Sequence, residues 1–459
     1  MNQKTEKTNP KVAFFYSLGQ IGSDLSWYMI NTYLTVFYTD VVGLSAVAIS
    51  MIMLIARIWD AVNDPMMGAI ADRTKTRWGT FRPYLMFAPP FLALFNILTF
   101  TVFPVEGALK VAICMICYIG AGMAYTVVNI SYGGLINRIA KNSQVRMNYV
   151  TAKSIAASVL SMILSAVVMP VILFFSNTMK NGEKAADAHG YFMTVVICSI
   201  ILIPCFWLCA WKCKETVHAT KIDAPAEKKP IGKSLKALFK NKYLLMTVFC
   251  VFAGACGAMA RMSMLSFYVI YVVGSFTMIA PIYTTMTVCS LLGSFTLPWG
   301  TKTFGKRNYL LILTFLSITG LVLMFLVPAD NPVFLLSVSA LIGLTMCSGN
   351  ICTGMLADCI DYGDYEYGVR DEGLTFSFMG FGVKLATAIT GSVTVLLLAK
   401  VGYVPNADQT ETAKMGINAL VNLFPAAVML LSVVPLFFYR LDGKMDEIAN
   451  ALDERNGGK

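Results

Sequence analysis

Asp60 and Asp64 lie one helical turn apart in a stretch that reads as membrane-spanning: the apolar run AVAISMIMLI leads into ARIWDAVNDPMMGAIADR. An ionised carboxylate at membrane depth is costly, so intramembrane acids face cavities, pair with bases or bind cargo. The i,i+4 spacing sets both acids on one helix face. Asn63 adds an amide oxygen beside them. Two convergent carboxylates can hold a proton or a hard cation, and oxygen ligands do not suit a soft metal. The first reading is therefore a cation-coupled membrane transporter.

Seven charged residues fall well inside the predicted spans: Asp24, Arg57, Asp60, Asp64, Lys153, Arg261 and Lys384. Arg57 and Asp60 are i,i+3 and can pair within one helix. Lys153 and Lys384 have no acid nearby in sequence, so their partners must come from other helices. The competing reading is a static ion-pair network that only holds helices together. Asp24 sits in SDLSWYMINTYLTVFY with Trp27 and Tyr28, and AYTVVNISYGG supplies Tyr125, Thr126, Asn129 and Tyr132. Carboxylate, amide, hydroxyl and aromatic face together suit a sugar, which needs directional hydrogen bonds and a flat apolar surface. An interfacial Tyr/Trp belt accounts for part of these aromatics. It does not account for Asp24 and Asn129 at membrane depth.

The elements that must position these residues are membrane helices. The chain is 57% hydrophobic and 14% charged, against roughly one quarter charged in soluble proteins. About twelve spans are predicted, near 12–38, 42–71, 83–104, 108–138, 148–175, 189–212, 242–273, 279–300, 308–328, 332–357, 374–402 and 414–440. This is an all-α membrane protein. The polar opening residues and the long first apolar stretch do not form a signal peptide. The twelve cysteines avoid the predicted outer loops, so disulfides are not expected. Cys205, Cys209 and Cys213 line one helix face as small apolar filler.

Lys and Arg set the orientation. Arg73, Lys75, Arg77, Arg82, Arg138, Lys141 and Arg146 fall on one side, with the lysine-rich stretch 213–240 and Lys302, Lys306 and Arg307. That side is cytoplasmic, and both termini lie there. The net charge of +10 is then a topology signal and not a nucleic-acid patch. The 213–240 segment divides the chain into an N-terminal six-helix bundle (1–212) and a C-terminal bundle with a charged, solvated tail (241–459). Transporters are often built from two such pseudo-symmetric halves. GAIADRTKTRWG after the second span and GTKTFGKR after the eighth are a faint internal echo.

Three stretches carry a family resemblance. RIWDAVNDPMMGAIADRTKTRWGTFRPYL, DCIDYGDYEYGVRDEG and GFGVKLATAITG resemble, in order and spacing, the glycoside–pentoside–hexuronide:cation symporters, a branch of the major facilitator superfamily. The resemblance implies the major facilitator fold, no enzymatic activity and no cofactor beyond a coupling ion, Na+ or H+. It places Asp60, Asn63, Asp64 and Thr126 at the cation site, where four oxygen-bearing ligands favour Na+ over a proton. Asp24 matches the sugar-binding acid and Lys384 the lysine of span 11. Lys153 falls where the melibiose permease of that family has arginine, Asn129 where it has aspartate, and Gly133 where it has tryptophan.

The expected substrate-binding set is Asp24, Tyr28, Asn129, Tyr132, Lys153, Arg261 and Lys384. The expected cytoplasmic gate pairs Arg73, Arg77 and Arg82 with Asp358, Asp361, Asp364 or Glu366, the last four in a loop after span 10. A solvated surface is the competing reading for that acidic loop. The expected cargo is a sugar, a glycoside or a hexuronide, with membrane lipid the surrounding contact and neither a nucleic acid nor an obligate protein partner implied. A lysolipid-type or drug/H+ transporter on the same fold is the alternative.

Overall fold

The computed structural model describes residues 8–74, 76–140, 143–180, 183–215, 238–326, 331–368, 372–405 and 407–457. Lys75, Lys141 and Lys221, Lys228, Lys229, Lys233 and Lys236 of the central segment lie outside the described residues. The chain divides into two compact units. The first comprises Met1–Ala224 with Gly274–Thr284 and Val404–Ala407, and the second the remainder.

The first unit holds α1 (Pro10–Val36), α2 (Ala46–Arg73), α3 (Arg82–Thr99), α4 (Gly107–Ile139), α5 (Ser143–Phe175) and α6 (Ala188–Lys212). A two-stranded antiparallel hairpin, β1 (Thr178–Lys180) and β2 (Glu183–Ala185), joins α5 to α6. Asp187 caps α6 by accepting from the Gly190 amide at 2.9 Å. The second unit is built on α7 (Lys242–Phe267), α8 (Ile279–Phe304, whose first turn clusters with the first unit), α9 (Lys306–Leu326) and α10, in two segments, Pro332–Thr345 and Ser348–Tyr367. It continues with α11 (Glu372–Lys400), α12 (Glu411–Phe438) and α13 (Met445–Gly457). Ten helices among the described residues are long and apolar enough to cross a membrane. α1 and α3 fall short because polar residues such as Gln20, Asp24 and Asn96 interrupt them. Asn96 is spent between these two helices, its Nδ2 donating to Ser26 Oγ at 2.8 Å.

Helices approach closely where side chains are small, as membrane packing requires. A Cβ at Gly22 would strike the Phe206 ring, and one at Gly343 would strike the Met286 backbone.

The two units repeat a local device. α1 and α7 both run on into a π-helical turn, Phe37–Val41 and Tyr268–Val273. Each passes through Val-Val-Gly to a glycine of positive φ, Gly43 at 74° and Gly274 at 80°. At the other end of the first unit, Glu215 accepts from the amides of Thr80, Phe81 and Arg82 at 2.8, 2.8 and 3.1 Å. Arg82 Nε donates to the Ala210 carbonyl at 2.6 Å. In the second unit Asp442 accepts from the Arg307 amide at 2.7 Å, and Arg307 Nε donates to the Leu436 carbonyl at 2.7 Å. A glycine of positive φ precedes each site, Gly79 and Gly305. The acid satisfies amides that a helix start leaves without partners, and its charge suits the positive end of the helix dipole. Replacing Glu215 by alanine should lower the stability of the purified protein by about 1–3 kcal/mol. Glu215→Gln, which keeps one acceptor, should lose less. Thermal unfolding measures both, and an unshifted midpoint for Glu215→Ala would show that the cap adds nothing.

Two expectations are corrected. Asp358, Asp361, Asp364 and Glu366 are not in a loop: α10 runs through all four to Tyr367 and ends where Gly368 takes φ 64°. The reason is amphipathicity, since Asp358, Cys359 and Gly363 turn inward and Tyr365 and Glu366 outward. The tail is not wholly solvated either. Ile448 and Leu452, one turn apart on α13, are 2% and 9% exposed and join the cluster of Tyr243, Leu356 and Tyr439.

Candidate cation and substrate site

α2 and α4 run in register at membrane depth. Thr126 Oγ1 donates to Asp64 Oδ1 at 3.0 Å. One turn earlier Gly122 faces Asp60, and a Cβ there would stand 3.1 Å from Asp60 Oδ1. The absence of a side chain at 122 is what lets the Asp60 carboxylate reach α4. Arg57 donates from NH1 to Asp60 Oδ2 at 3.3 Å, with the two side chains 19% and 20% exposed. Asn63 is buried, and its Nδ2 has no hydrogen-bond partner among the described residues. A buried amide in that state is costly unless a polar occupant of the site satisfies it. The structure brings Thr126 to Asp64 and Gly122 to Asp60 and buries Asn63 on the same helix, and oxygens of these types suit a small hard cation.

Asp24 on α1 accepts from Gln20 Nε2 at 2.7 Å, and Lys153 on α5 stands within its electrostatic reach. Tyr28 lies one turn beyond Asp24, with its hydroxyl buried. Tyr132 is placed differently from the expectation. It is fully buried, stacked on Tyr16 with centroids 4.6 Å apart, and its hydroxyl donates to the Tyr16 carbonyl at 2.9 Å. Its ring carries the Lys153 ammonium 5.0 Å from the centroid. Tyr132 therefore positions a cation by its face and has no hydroxyl to offer a ligand. Asn129 is exposed on α4.

In the second unit Arg261 is 3% exposed and donates to Asn422 Oδ1 at 2.6 Å and to Met324 Sδ at 3.2 Å. Asn422 is itself held by Asn418 Oδ1 at 2.7 Å. Arg261 borders a cavity of about 320 Å³ lined chiefly by apolar groups such as Met262, Met286 and Met429. Lys384 is exposed on α11. Asn422 was not singled out from the sequence; an asparagine inside the apolar run of α12 was the available signal.

Three of the expected gate residues have identified partners inside their own units. Asp358 takes Lys306 Nζ on both oxygens at 2.7 Å. Arg82 is bound to Ala210, and the Arg77 guanidinium lies 4.9 Å from the Trp78 ring centroid. Arg73 is exposed in the last turn of α2, where its charge suits the helix dipole.

Among the described residues, ten helices able to span a membrane, intramembrane carboxylates and a local device repeated in the two units fit a multi-pass membrane transporter of the major facilitator fold. The fold matches solved structures: a D-xylose–proton symporter at TM-score 0.67 and 13% identity, covering 96% of this chain and 99% of that one. A bacterial homologue of the human lysosomal transporter Spinster matches at TM-score 0.64 and 13% identity, covering 96% of each. The chain belongs to the MFS/sugar transport protein family, whose sequence model matches residues 15–443. It is similar to the isoprimeverose transporter of Lactiplantibacillus pentosus, 33% identical over 94% of this chain and 88% of the relative. It is also similar to the glucuronide carrier protein homolog of Escherichia coli K12, 32% identical over 96% and 94%.

Proposed function

We propose that the chain is a symporter that couples Na+, or a proton, to uptake of a glycoside or hexuronide across the cytoplasmic membrane, with both termini in the cytoplasm. The observation that carries the reading is the α2–α4 register, which sets Gly122 against Asp60 and Thr126 against Asp64. It supplies charge and neutral oxygens at one place in the membrane, one helix away from the polar Asp24–Lys153 pair. Na+ is favoured because a proton needs one carboxylate and not this set. The relatives named for isoprimeverose and glucuronide support a sugar cargo.

Charge favours a sugar acid. The first unit holds three deep acids, Asp24, Asp60 and Asp64, against two deep bases, Arg57 and Lys153. One bound monovalent cation brings that set to neutrality. Arg261 and Lys384 of the second unit add positive charge, which favours an anionic substrate. Lys153 faces Asp24, and Lys384 is exposed. A glucuronide should therefore outcompete the matching glucoside, and the preference should survive Lys153→Gln. Lys384→Gln should reduce it roughly tenfold or more, the loss expected of one charged hydrogen bond. Competition of p-nitrophenyl glucuronide and p-nitrophenyl glucoside against a labelled glycoside is the measurement. Equal inhibition in the wild type would defeat the acid preference. A shift of the preference in Lys153→Gln alone would move the carboxylate contact to Lys153.

A further inference from the structure

Trp27 on α1 touches both halves of the proposed coupling apparatus. Its ring stacks on Tyr125 of α4, with centroids 4.3 Å apart and 23° between planes. The Arg57 guanidinium carbon lies 5.7 Å from its centroid. Arg57 is also the partner of Asp60, at 3.3 Å. The Tyr125 hydroxyl accepts from Ser23 Oγ at 3.2 Å. Ser23 precedes Asp24 in the chain, and Tyr125 precedes Thr126, which holds Asp64. One indole is thus bounded by a base that serves the cation carboxylates and by a phenol that reaches the residue beside the sugar acid.

The geometry around Arg57 is divided. A charged N–H to carboxylate bond ordinarily closes to about 2.7–2.9 Å, and here it is 3.3 Å. An aromatic face within about 6 Å is a second favourable seat for a guanidinium. A cation arriving at Asp60 and Asp64 competes for the carboxylate oxygens and repels Arg57. Displacement towards the indole is the short way out.

We propose that Trp27 is the positioning residue that couples the two sites: cation occupancy shifts Arg57 onto its face, and Trp27 passes that shift through Tyr125 to the Ser23–Asp24 segment. This rests on the symport reading given above. Coupling between sites is a ratio of affinities and is reciprocal, with typical values of roughly 5–150-fold. Removing the indole should collapse that ratio more than it changes either affinity measured alone.

The test measures p-nitrophenyl glucuronide and p-nitrophenyl glucoside binding to the purified full chain by calorimetry. Na+ is titrated against choline at fixed pH, and pH is varied in choline. The readout is the ratio of sugar Kd without and with saturating cation. Trp27→Leu should bring the ratio below about twofold, from a wild-type value in the typical range. Trp27→Phe, which keeps a π face, should retain most of it. Tyr125→Phe, which keeps the stack and loses the hydroxyl, should lower it on its own. A wild-type ratio in folded Trp27→Leu or Tyr125→Phe protein overturns the proposal. So does a fall in both affinities with the ratio preserved, which is what a merely structural role gives. If neither Na+ nor pH alters sugar binding in the wild type, the symport reading itself fails, and the coupling role of Trp27 falls with it.

Discussion

Asp64→Asn protein reconstituted in vesicles should exchange sugar down its gradient and fail to accumulate it against one. Asp64 accepts from the Thr126 hydroxyl at 3.0 Å and Asp60 from Arg57 at 3.3 Å. On the proposed reading Asp64 is a charged ligand of the incoming cation. A unit charge at 4 Å is worth about 4 kcal/mol at an effective dielectric constant of 20. Losing that interaction weakens cation binding by close to a thousandfold, or about three decades at 1.4 kcal/mol per decade. Asparagine keeps the shape and the Thr126 contact, so the fold should stand. Sugar accumulation at wild-type gradients would remove Asp64 from the cation site. Replacing Na+ by choline at fixed pH separates the two candidate ions.

Asp24→Ala should bind cation and lose sugar. One oxygen of Asp24 takes Gln20 Nε2 at 2.7 Å, which fixes the carboxylate and leaves the other oxygen to accept from sugar hydroxyls. A hydrogen bond to a charged group contributes about 1.5–3 kcal/mol, or roughly tenfold to a hundredfold in affinity. Alanine also deprives Lys153 of its anionic neighbour, so the protein should be less stable. Asp24→Asn separates the two effects, because it keeps one acceptor and still removes the charge. Unchanged sugar affinity in both variants would make Asp24 a structural acid whose work is to balance Lys153.

Most of this architecture is legible in the sequence because membrane helices are specified by composition over long windows. The limits of α6, and of α7 taken with its π-helical turn, lie within a residue of the apolar runs that suggest them. The candidate cation residues stand out for a related reason: charge at membrane depth is rare enough to be conspicuous. What escapes is whatever depends on contacts far apart in the chain. The acidic stretch 358–366 reads as a loop because its residues are polar, yet it is helical because one face of it is buried. Tyr132 reads as a ligand by its type, and only the Tyr16 stack shows its hydroxyl to be committed. Glu215 lies in a polar stretch that gives no local hint of its three amide partners. Trp27 is one aromatic among many until Arg57 and Tyr125 are seen on it.

The paired acid caps also bear on how the protein is made. Thr80 and Glu215 are 135 residues apart, and so are Arg307 and Asp442. At synthesis rates of about 5–20 residues per second, the start of α3 waits roughly 7–27 s for its acid, and the start of α9 waits as long. Each cap is thus closed by an acid made well after the helix it caps. The first cap can thus form before any helix of the second half has been made, while segments 274–284 and 404–407 join the first unit later. A ribosome stalled once Glu215 has cleared the exit tunnel should already display the first cap, whereas a chain stalled before Asp442 emerges should lack the second.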